Sequence, residues 1–296
     1  MKRFYLALFL FVLPIFVFLG GAEYYVRSLP NIYKYKNEWM EEHAEEVEML
    51  VLGNSHTGTA INPKYVSERM FNLANIGQEY MYDHFLFFKW AERCKKLKMV
   101  IISVSYFSFY KNVLGNESEK MQELNYSLYM DCPYHRYDVS YSLESLYFSP
   151  LCGKIRKHLS GKDVNWSADG WIKWPLAEKS SVWNAEHVNK SLARIYLAHS
   201  YDYVETNYRY LEGIVRYCYQ HDVRIVLVST PQTKEYNKCL DSRQIAHTHS
   251  LVDKLQKQYA VEYYDYREDY RFTDDDFYDQ SHLSEVGAEK FTKLLM

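Results

Sequence analysis

The stretch from Val47 to Pro63 constrains this chain most: the run Val-Glu-Met-Leu-Val-Leu stops at Gly53 and delivers Asn54, Ser55 and His56. A short hydrophobic run ended by a glycine reads as a buried strand, and its end presents the hydroxyl of Ser55. Strand-like and helix-like segments then alternate. Pro63 begins a helix expected to continue through Lys64 to Met70. Residues 71–75 read as a second strand closing at Ile76-Gly77-Gln78, 82–96 as a helix, and 99–104 as a β-branched strand ending at Ser105. This rhythm is that of a parallel sheet, which places the chain in the α/β class. Open sheets of that kind gather ligands at the carboxyl ends of their strands, where Ser55 is expected.

From 106 to about 200 the rhythm breaks into a region rich in Tyr, Trp, Ser and Asn, including Trp166, Trp171, Trp174 and Trp183. A structureless loop of that length does not suit a compact domain, so the region reads as an insertion with helix of its own, a lid or a substrate-facing subdomain. Alternation resumes with a helix over 203–221, a strand over 223–229, a helix over 242–259 and a strand over 261–264. Ser284 caps a final helix through Leu295. No internal repeat is present.

Ahead of this domain, Lys2 and Arg3 precede an uncharged apolar run from Phe4 to Ala22. The run is long enough to span a bilayer, and the positive pair predicts a cytoplasmic amino terminus with the rest of the chain outside. A cleaved signal peptide competes, with Gly20-Gly21-Ala22 as its cutting site, but the length favours an uncleaved anchor. Residues 23–46 read as a polar, aromatic stalk broken at Pro30. The expected organisation is therefore an anchor or signal peptide over 1–22, a stalk over 23–46, and an α/β domain over 47–296 with its insertion at about 106–200.

With 296 residues, 48% of them hydrophobic, the chain can bury a sizeable core. A net charge of −3 without basic blocks offers no footprint for nucleic acid. The five cysteines show no metal-ligand spacing, and neither a metal nor a cofactor is expected. Cys94 and Cys218 read as small buried hydrophobes, while Cys132 and Cys152 are candidates for a disulfide if their region lies outside the cytoplasm. The 30 tyrosines read as a sugar-binding surface or as core packing, with packing favoured. His247 and His249, two apart on a helix, do not share a face and read as solvated surface. Asp274 to Asp276 lacks the spaced ligands of a calcium loop and reads as a solvated acidic turn.

The candidate chemistry lies at the two ends of the domain. An alcohol becomes a useful nucleophile when an imidazole takes its proton and a carboxylate holds the imidazole's other nitrogen. Asp279 and His282, three apart at the entrance to the last helix, form such a pair, and Ser55 is the alcohol. His56, beside Ser55, is a candidate substrate contact or a solvent-facing neighbour. Trp171 and Trp174 are candidates for lining a carbohydrate groove, with packing of the insertion as the competing role.

Gly53-Asn54-Ser55-His56, Asn75-Ile76-Gly77-Gln78 and Asp279-Gln280-Ser281-His282 resemble blocks one, two and five of the SGNH (GDSL-like) hydrolase superfamily, in matching order over most of the chain beyond the anchor. The resemblance implies a three-layer α/β/α sandwich with a mostly parallel central sheet, Ser55 as nucleophile, His282 as base and Asp279 as its orienter. It implies an oxyanion hole made by the N–H groups of Ser55 and Gly77. Two departures stand out. Asn54 replaces a common aspartate, and the stretch Ile102 to Tyr106 has no asparagine where the family's third block supplies a donor. That donor is missing or is replaced by another group, such as Ser105 or Asn75.

An anchor ahead of such a domain is similar in layout to alginate O-acetyltransferase-like proteins and to the D-alanyl transfer protein of teichoic acid assembly. The expected function is an extracytoplasmic Ser-His-Asp esterase or O-acyltransferase acting on acyl groups, foremost acetyl, of a cell-surface polysaccharide. Its expected partners are the bilayer, the glycan and a membrane-bound acyl-transfer protein. The alternative is a degenerate module that binds glycan or such a partner.

Overall fold

The computed structural model describes residues 1–111, 120–135, 138, 142–162, 164–174, 186, 188 and 200–296. Trp183, and with it much of the carboxyl half of the expected insertion, lies outside the described residues. The chain divides into two compact units, one formed by Met1–Asn37 with Glu117–Val164 and the other by Glu38–Asn116 with Asn165–Met296. The insertion is thus split between the units instead of forming a single body.

In the first unit, α1 (Lys2–Ser28) carries the apolar run, with Phe4, Phe11, Phe16 and Phe18 all exposed. Its 27 residues make it about 40 Å long, enough to cross a bilayer's hydrocarbon core of about 30 Å. The helix stops at Leu29, which is extended, as expected of a residue before proline. Residues 23 to 37 do not stand free as a stalk. The Glu23 carboxylate accepts the N–H groups of Glu144 (3.1 Å) and Ser145 (2.8 Å). Asn31 meets Asn125 at 2.8 Å, and the rings of Tyr33 and Tyr126 pack edge to face at 5.1 Å. Within this unit lie α5 (Lys120–Tyr129) and α6 (Phe148–Leu159). Cys132 is buried and Cys152 exposed, and the two are unbridged. The helix α2 (Ile32–His43) runs across the boundary between the units.

The second unit is built on five parallel strands: β1 (Met49–Leu52), β2 (Met70–Asn72), β3 (Met99–Ser103), β4 (Arg224–Ser229) and β5 (Val261–Asp265), in the order β2-β1-β3-β4-β5. The expected α/β class is borne out. Register aligns Val51, Ile101 and Val226 on one face, where they pack with Ala60, Ile61 and Phe291. The alternate residues Leu50, Val100 and Ile225 are equally buried, so helices must cover both faces. Each such side chain contributes on the order of 2 kcal/mol by burial.

Two helices, α3 (Ser55–Ala60) and α10 (Glu285–Leu295), pack together on the Phe291 side. The opposite layer contains α4 (Tyr80–Trp90), α7 (Val204–Gln220) and α9 (Ser242–Gln258), with Phe87 and Tyr217 in edge-to-face contact at 5.2 Å. A short helix, α8 (Lys234–Lys238), follows β4.

The expected helix from Pro63 to Met70 is only a single turn, Pro63–Tyr65, and the helix comes earlier, at α3. Its sequence Ser-His-Thr-Gly-Thr-Ala has little intrinsic preference for a helix, and tertiary contacts supply what propensity does not. The Asn54 side chain accepts the N–H of His56 at its start, and the buried Asn72 amide donates to the carbonyls of Thr57 (3.1 Å) and Ile61 (2.8 Å) at its end. In the turn Asp274 to Asp276 the first two aspartates are exposed, as expected of a solvated acidic turn, but Asp276 is buried and paired with Lys290 at 2.7 Å. Likewise His247 meets the Tyr110 hydroxyl at 2.9 Å and His249 meets Asp265 at 2.9 Å, tying both histidines into the fold.

Gly53 turns the chain from β1 into α3 at φ 108°, and a Cβ there would sit 2.1 Å from Ser103 Oγ and 2.7 Å from Thr57 Oγ1. Gly161, at φ 66° with open space around it, carries the backbone penalty alone. In urea denaturation of the full-length chain in detergent, Gly53→Ala is expected to lose about 3 kcal/mol or more, and Gly161→Ala about 1 kcal/mol. Equal losses would show that the close approach to Ser103 is not what demands glycine at 53.

Candidate active site

In a sheet of order 2-1-3-4-5, successive connections leave β1 and β3 toward opposite faces, opening a crevice between their carboxyl ends. Ser55 follows β1 and Ser105 follows β3, so the turn expected from the sequence lies at that crevice. The turn is held by its backbone. Gly53 N–H donates to Asp83 Oδ1 at 2.7 Å and Asn54 N–H to Ser103 Oγ at 3.2 Å, while Thr57 Oγ1 donates to the Leu52 carbonyl at 2.8 Å. Ser55 itself is 8% exposed.

His282 reaches the same point from a loop that folds back on itself. Phe277 and Leu283 form an antiparallel bridge, and Tyr278 N–H donates to the His282 carbonyl at 2.9 Å. The loop is pinned from outside where Thr233 donates its N–H (3.1 Å) and hydroxyl (2.9 Å) to the Gln280 carbonyl. Within it, both Asp279 carboxylate oxygens lie 2.9 Å from His282 Nδ1, and Oδ1 also accepts the N–H groups of Ser281 and His282 at 2.9 Å. His282 Nε2 lies 2.8 Å from Ser55 Oγ, completing a hydrogen-bonded chain from carboxylate to imidazole to hydroxyl across 227 residues of sequence.

Burial by itself would raise the Asp279 pKa. The imidazole of His282 and the two N–H donors outweigh it and hold the carboxyl at about 2. The group is therefore an anion throughout the neutral range, oriented to stabilise a protonated His282.

The other site residues expected from the sequence fall into three groups. Gly77 adopts φ 70° in the turn after β2, and neither its N–H nor that of Ser55 donates to any described residue. Those two groups remain available as donors. Asn75 and Ser105, the candidates for the missing third donor, are both engaged elsewhere. The Asn75 amide nitrogen donates to Gln78 Oε1 at 2.9 Å, and Ser105 Oγ lies 2.9 Å from Asn54 Nδ2 and 2.7 Å from His56 Nδ1. His56 is buried and does not face solvent, its ring 5.1 Å from that of His282.

The two tryptophans differ. Trp171 is 3% exposed and spends its indole N–H on the Thr59 carbonyl at 2.6 Å, so it braces α3 and lines no groove. Trp174 is half-buried, stacks on Tyr278 at 4.9 Å and lies 5.5 Å from the His282 ring. Among the described residues, no group of three His, Cys, Asp or Glu side chains is placed to hold a metal ion.

Sequence patterns missed Asp83. It is the sole acid in the largely apolar and aromatic helix α4 and is 1% exposed, accepting Gly53 N–H and the Gln78 side chain (2.6 Å). A lone acid among Tyr80, Met81, Tyr82 and Leu86 is the local signal that a carboxylate is buried for a reason.

No protein-family model and no curated protein sequence matches the chain. Among solved structures it is similar to a protein from Streptococcus pneumonia assigned as a platelet activating factor, at 13% identity and TM-score 0.43, covering 97% of this chain and 96% of that one. It is also similar to a protein from Bacteroides fragilis assigned as an acylhydrolase, at 10% identity and TM-score 0.41 over 87% and 91% of the two chains. A GDSL-like lipase from Bacteroides thetaiotaomicron matches at 11% identity and TM-score 0.39 over 90% and 98%. Likeness at this level leaves the chemistry to the side chains themselves.

Burial raises the Asp83 pKa to about 7, against the donors Gln78 and Gly53 that pull it down. An unfolded aspartate titrates near ~3.9. The native state therefore holds a proton that the unfolded state releases, and the associated stability is complete below pH ~4 and lost as pH rises through about 7. Asp83→Asn removes this titration. Its stability relative to wild type is expected to improve by on the order of 3 kcal/mol between pH 4 and pH 8 in urea denaturation, and a pH-independent difference would show that Asp83 is not a native-state proton carrier.

Proposed function

We propose that this protein is a serine acyl-ester enzyme of the SGNH (GDSL-like) type, with Ser55 as nucleophile, His282 as general base and acid, and Asp279 as the group that orients and charges the imidazole. The observation that carries the reading is the unbroken chain from Asp279 through His282 to the Ser55 hydroxyl, with contacts of 2.9 and 2.8 Å. It is supported by the two unused N–H groups of Ser55 and Gly77.

In the first half-reaction, a bond forms between Ser55 Oγ and the ester carbonyl carbon as the hydroxyl proton passes to His282 Nε2. The carbonyl π pair moves onto oxygen, where the N–H groups of Ser55 and Gly77 receive it. Collapse breaks the bond to the leaving alcohol, which takes its proton from His282. In the second half-reaction, water or an acceptor hydroxyl adds to the acyl carbon, gives its proton to His282 and releases Ser55 with that proton restored. Asp279 remains an anion throughout and loses or gains no proton.

Esterase and O-acyltransferase share this sequence and differ in what meets the acyl-enzyme. The helix α1, with Lys2 and Arg3 before its apolar stretch, supports an anchored chain whose α/β unit lies outside the cytoplasm. On that reading the substrate is an acyl group, foremost acetyl, on a cell-surface polysaccharide, and a membrane-bound acyl-transfer protein is the partner for the transferase. Trp174, half-buried beside His282, is on that reading the aromatic residue against which a sugar ring would pack. The engagement of Asn75 and Ser105 elsewhere favours one second reading, a degenerate module that binds glycan or that membrane partner without turnover.

A fluorophosphonate probe separates the two. Wild type is expected to label and Ser55→Ala not to label, while an unreactive wild type supports the binding module. On an activated acetyl ester, Ser55→Ala and His282→Ala are expected to lower kcat by about 10⁴-fold or more, and Asp279→Asn by on the order of 10³- to 10⁴-fold. Adding an oligosaccharide distinguishes the two enzymes: acetylated sugar marks a transferase, and free acetate alone marks an esterase.

A further inference from the structure

The turn that presents Ser55 also carries an imidazole for which the reaction above has no use. His56 is 3% exposed, directly follows the nucleophile and lies edge-on to His282 with ring centres 5.1 Å apart. A polar ring buried this deeply is costly unless both its nitrogens are used. Nδ1 lies 2.7 Å from Ser105 Oγ, but Nε2 has no partner among the described residues.

The surrounding hydrogen bonds place the proton. Asn54 Oδ1 accepts the His56 backbone N–H at 3.0 Å and keeps a second lone pair, while Asn54 Nδ2 can only donate, which it does to Ser105 Oγ at 2.9 Å. The acceptors within reach of the Ser105 hydroxyl are His56 Nδ1 at 2.7 Å and Asn54 Oδ1 at 3.2 Å. The shorter contact takes the hydrogen, so Nδ1 accepts and the ring carries its own hydrogen on Nε2. Burial, reinforced by the neighbouring His282, lowers the His56 pKa to about 3, which keeps the ring neutral and removes it from proton transfer near neutral pH. A neutral imidazole with a fixed, unpartnered N–H beside a nucleophile is equipped to polarise a carbonyl.

We propose that His56 Nε2–H is the third donor of the oxyanion hole, joining the N–H groups of Ser55 and Gly77 in the place left by the absent asparagine after β3. Ser105 and Asn54 are positioning residues that hold the ring in the tautomer with its hydrogen outward. The proposal rests on the reading of Ser55 as nucleophile. As the carbonyl π pair moves onto oxygen, His56 donates a hydrogen bond to it and transfers no proton.

The test uses the full-length chain in detergent, with 4-nitrophenyl acetate turnover and fluorophosphonate labelling of wild type, His56→Ala, His56→Gln, Ser105→Ala and the double variant His56→Ala/Ser105→Ala. His56→Ala is expected to lower kcat by about 100-fold at little change in KM, because the oxyanion exists only after attack. The shape of its pH–rate profile is expected to stay as in wild type. His56→Gln, which retains an N–H donor, is expected to recover part of the loss. Ser105→Ala is expected to lower kcat less than His56→Ala does and to cost nothing further in the double variant, since both act through one hydrogen bond. Melting curves identify folded variants, and if His56→Ala does not fold, lowered kcat at unchanged KM in His56→Gln and Ser105→Ala carries the proposal. A labelled wild type together with a folded His56→Ala of unchanged kcat, or one raised only in KM, overturns the proposal while leaving Ser55 as nucleophile. A wild type that neither labels nor turns over overturns both.

Discussion

One buried carboxylate joins the two turns on which the candidate site depends. Asp83 accepts the N–H of Gly53 at the end of β1, and it accepts the side chain of Gln78, which in turn receives the Asn75 amide in the turn after β2. The first turn sets Ser55 and the second sets Gly77, so the relative placement of hydroxyl and backbone donor passes through a single side chain on α4. Placing a carboxylate in the core is expensive, and its raised pKa records that cost. The cost is tolerable because backbone and amide donors that would otherwise be buried without acceptors are satisfied by the same group.

The remaining parts converge at the same sheet edge for a topological reason. With β1 between β2 and β3 in the order β2-β1-β3-β4-β5, the turns after β1, β2 and β3 open side by side. Ser103 binds the Asn54 N–H and Ser105 binds the Asn54 and His56 side chains, so the β3 end buttresses the β1 turn from behind. The loop before α10 comes to the same edge because Gly287 lets that helix approach the Asp276 carbonyl, where a Cβ would sit at 2.0 Å. The two histidines at this edge have different environments. His282 lies between a carboxylate and a hydroxyl, whereas His56 is buried against a serine and a second imidazole. A carboxylate stands at the ring of one of them, and burial keeps the other neutral.

Much of the α/β framework was readable before any coordinates. The strands over 99–104, 223–229 and 261–264 and the helices over 203–221 and 242–259 agree with the observed elements to within a residue or two. Continuous β-branched runs and 3.6-residue periodicity are local signals, and burial on both faces of a parallel sheet reinforces them. The helix α3 was not readable, because Ser, Thr and Gly gain their helical state there from burial and from the Asn72 amide instead of from propensity. The choice for Trp171 between groove and packing stayed open for a related reason. Nothing local says whether an indole faces solvent or, as here, the carbonyl of Thr59.

By itself, then, the sequence determined the order of strands and helices, the apolar amino-terminal helix, and the residue types of the site: a serine after the first strand and an aspartate and histidine three apart near the end. These are properties of short windows, where side-chain volume, polarity and spacing act directly on the backbone. Only the tertiary structure decided that Ser55 and His282 meet, that Asp83 braces both turns, and that Ser105 and Asn75 are consumed in holding others. Apart from the short-range contacts through Gln78, those pairings join groups between 30 and 227 residues apart, and a hydrogen bond across such a separation leaves no period in the sequence from which to read it.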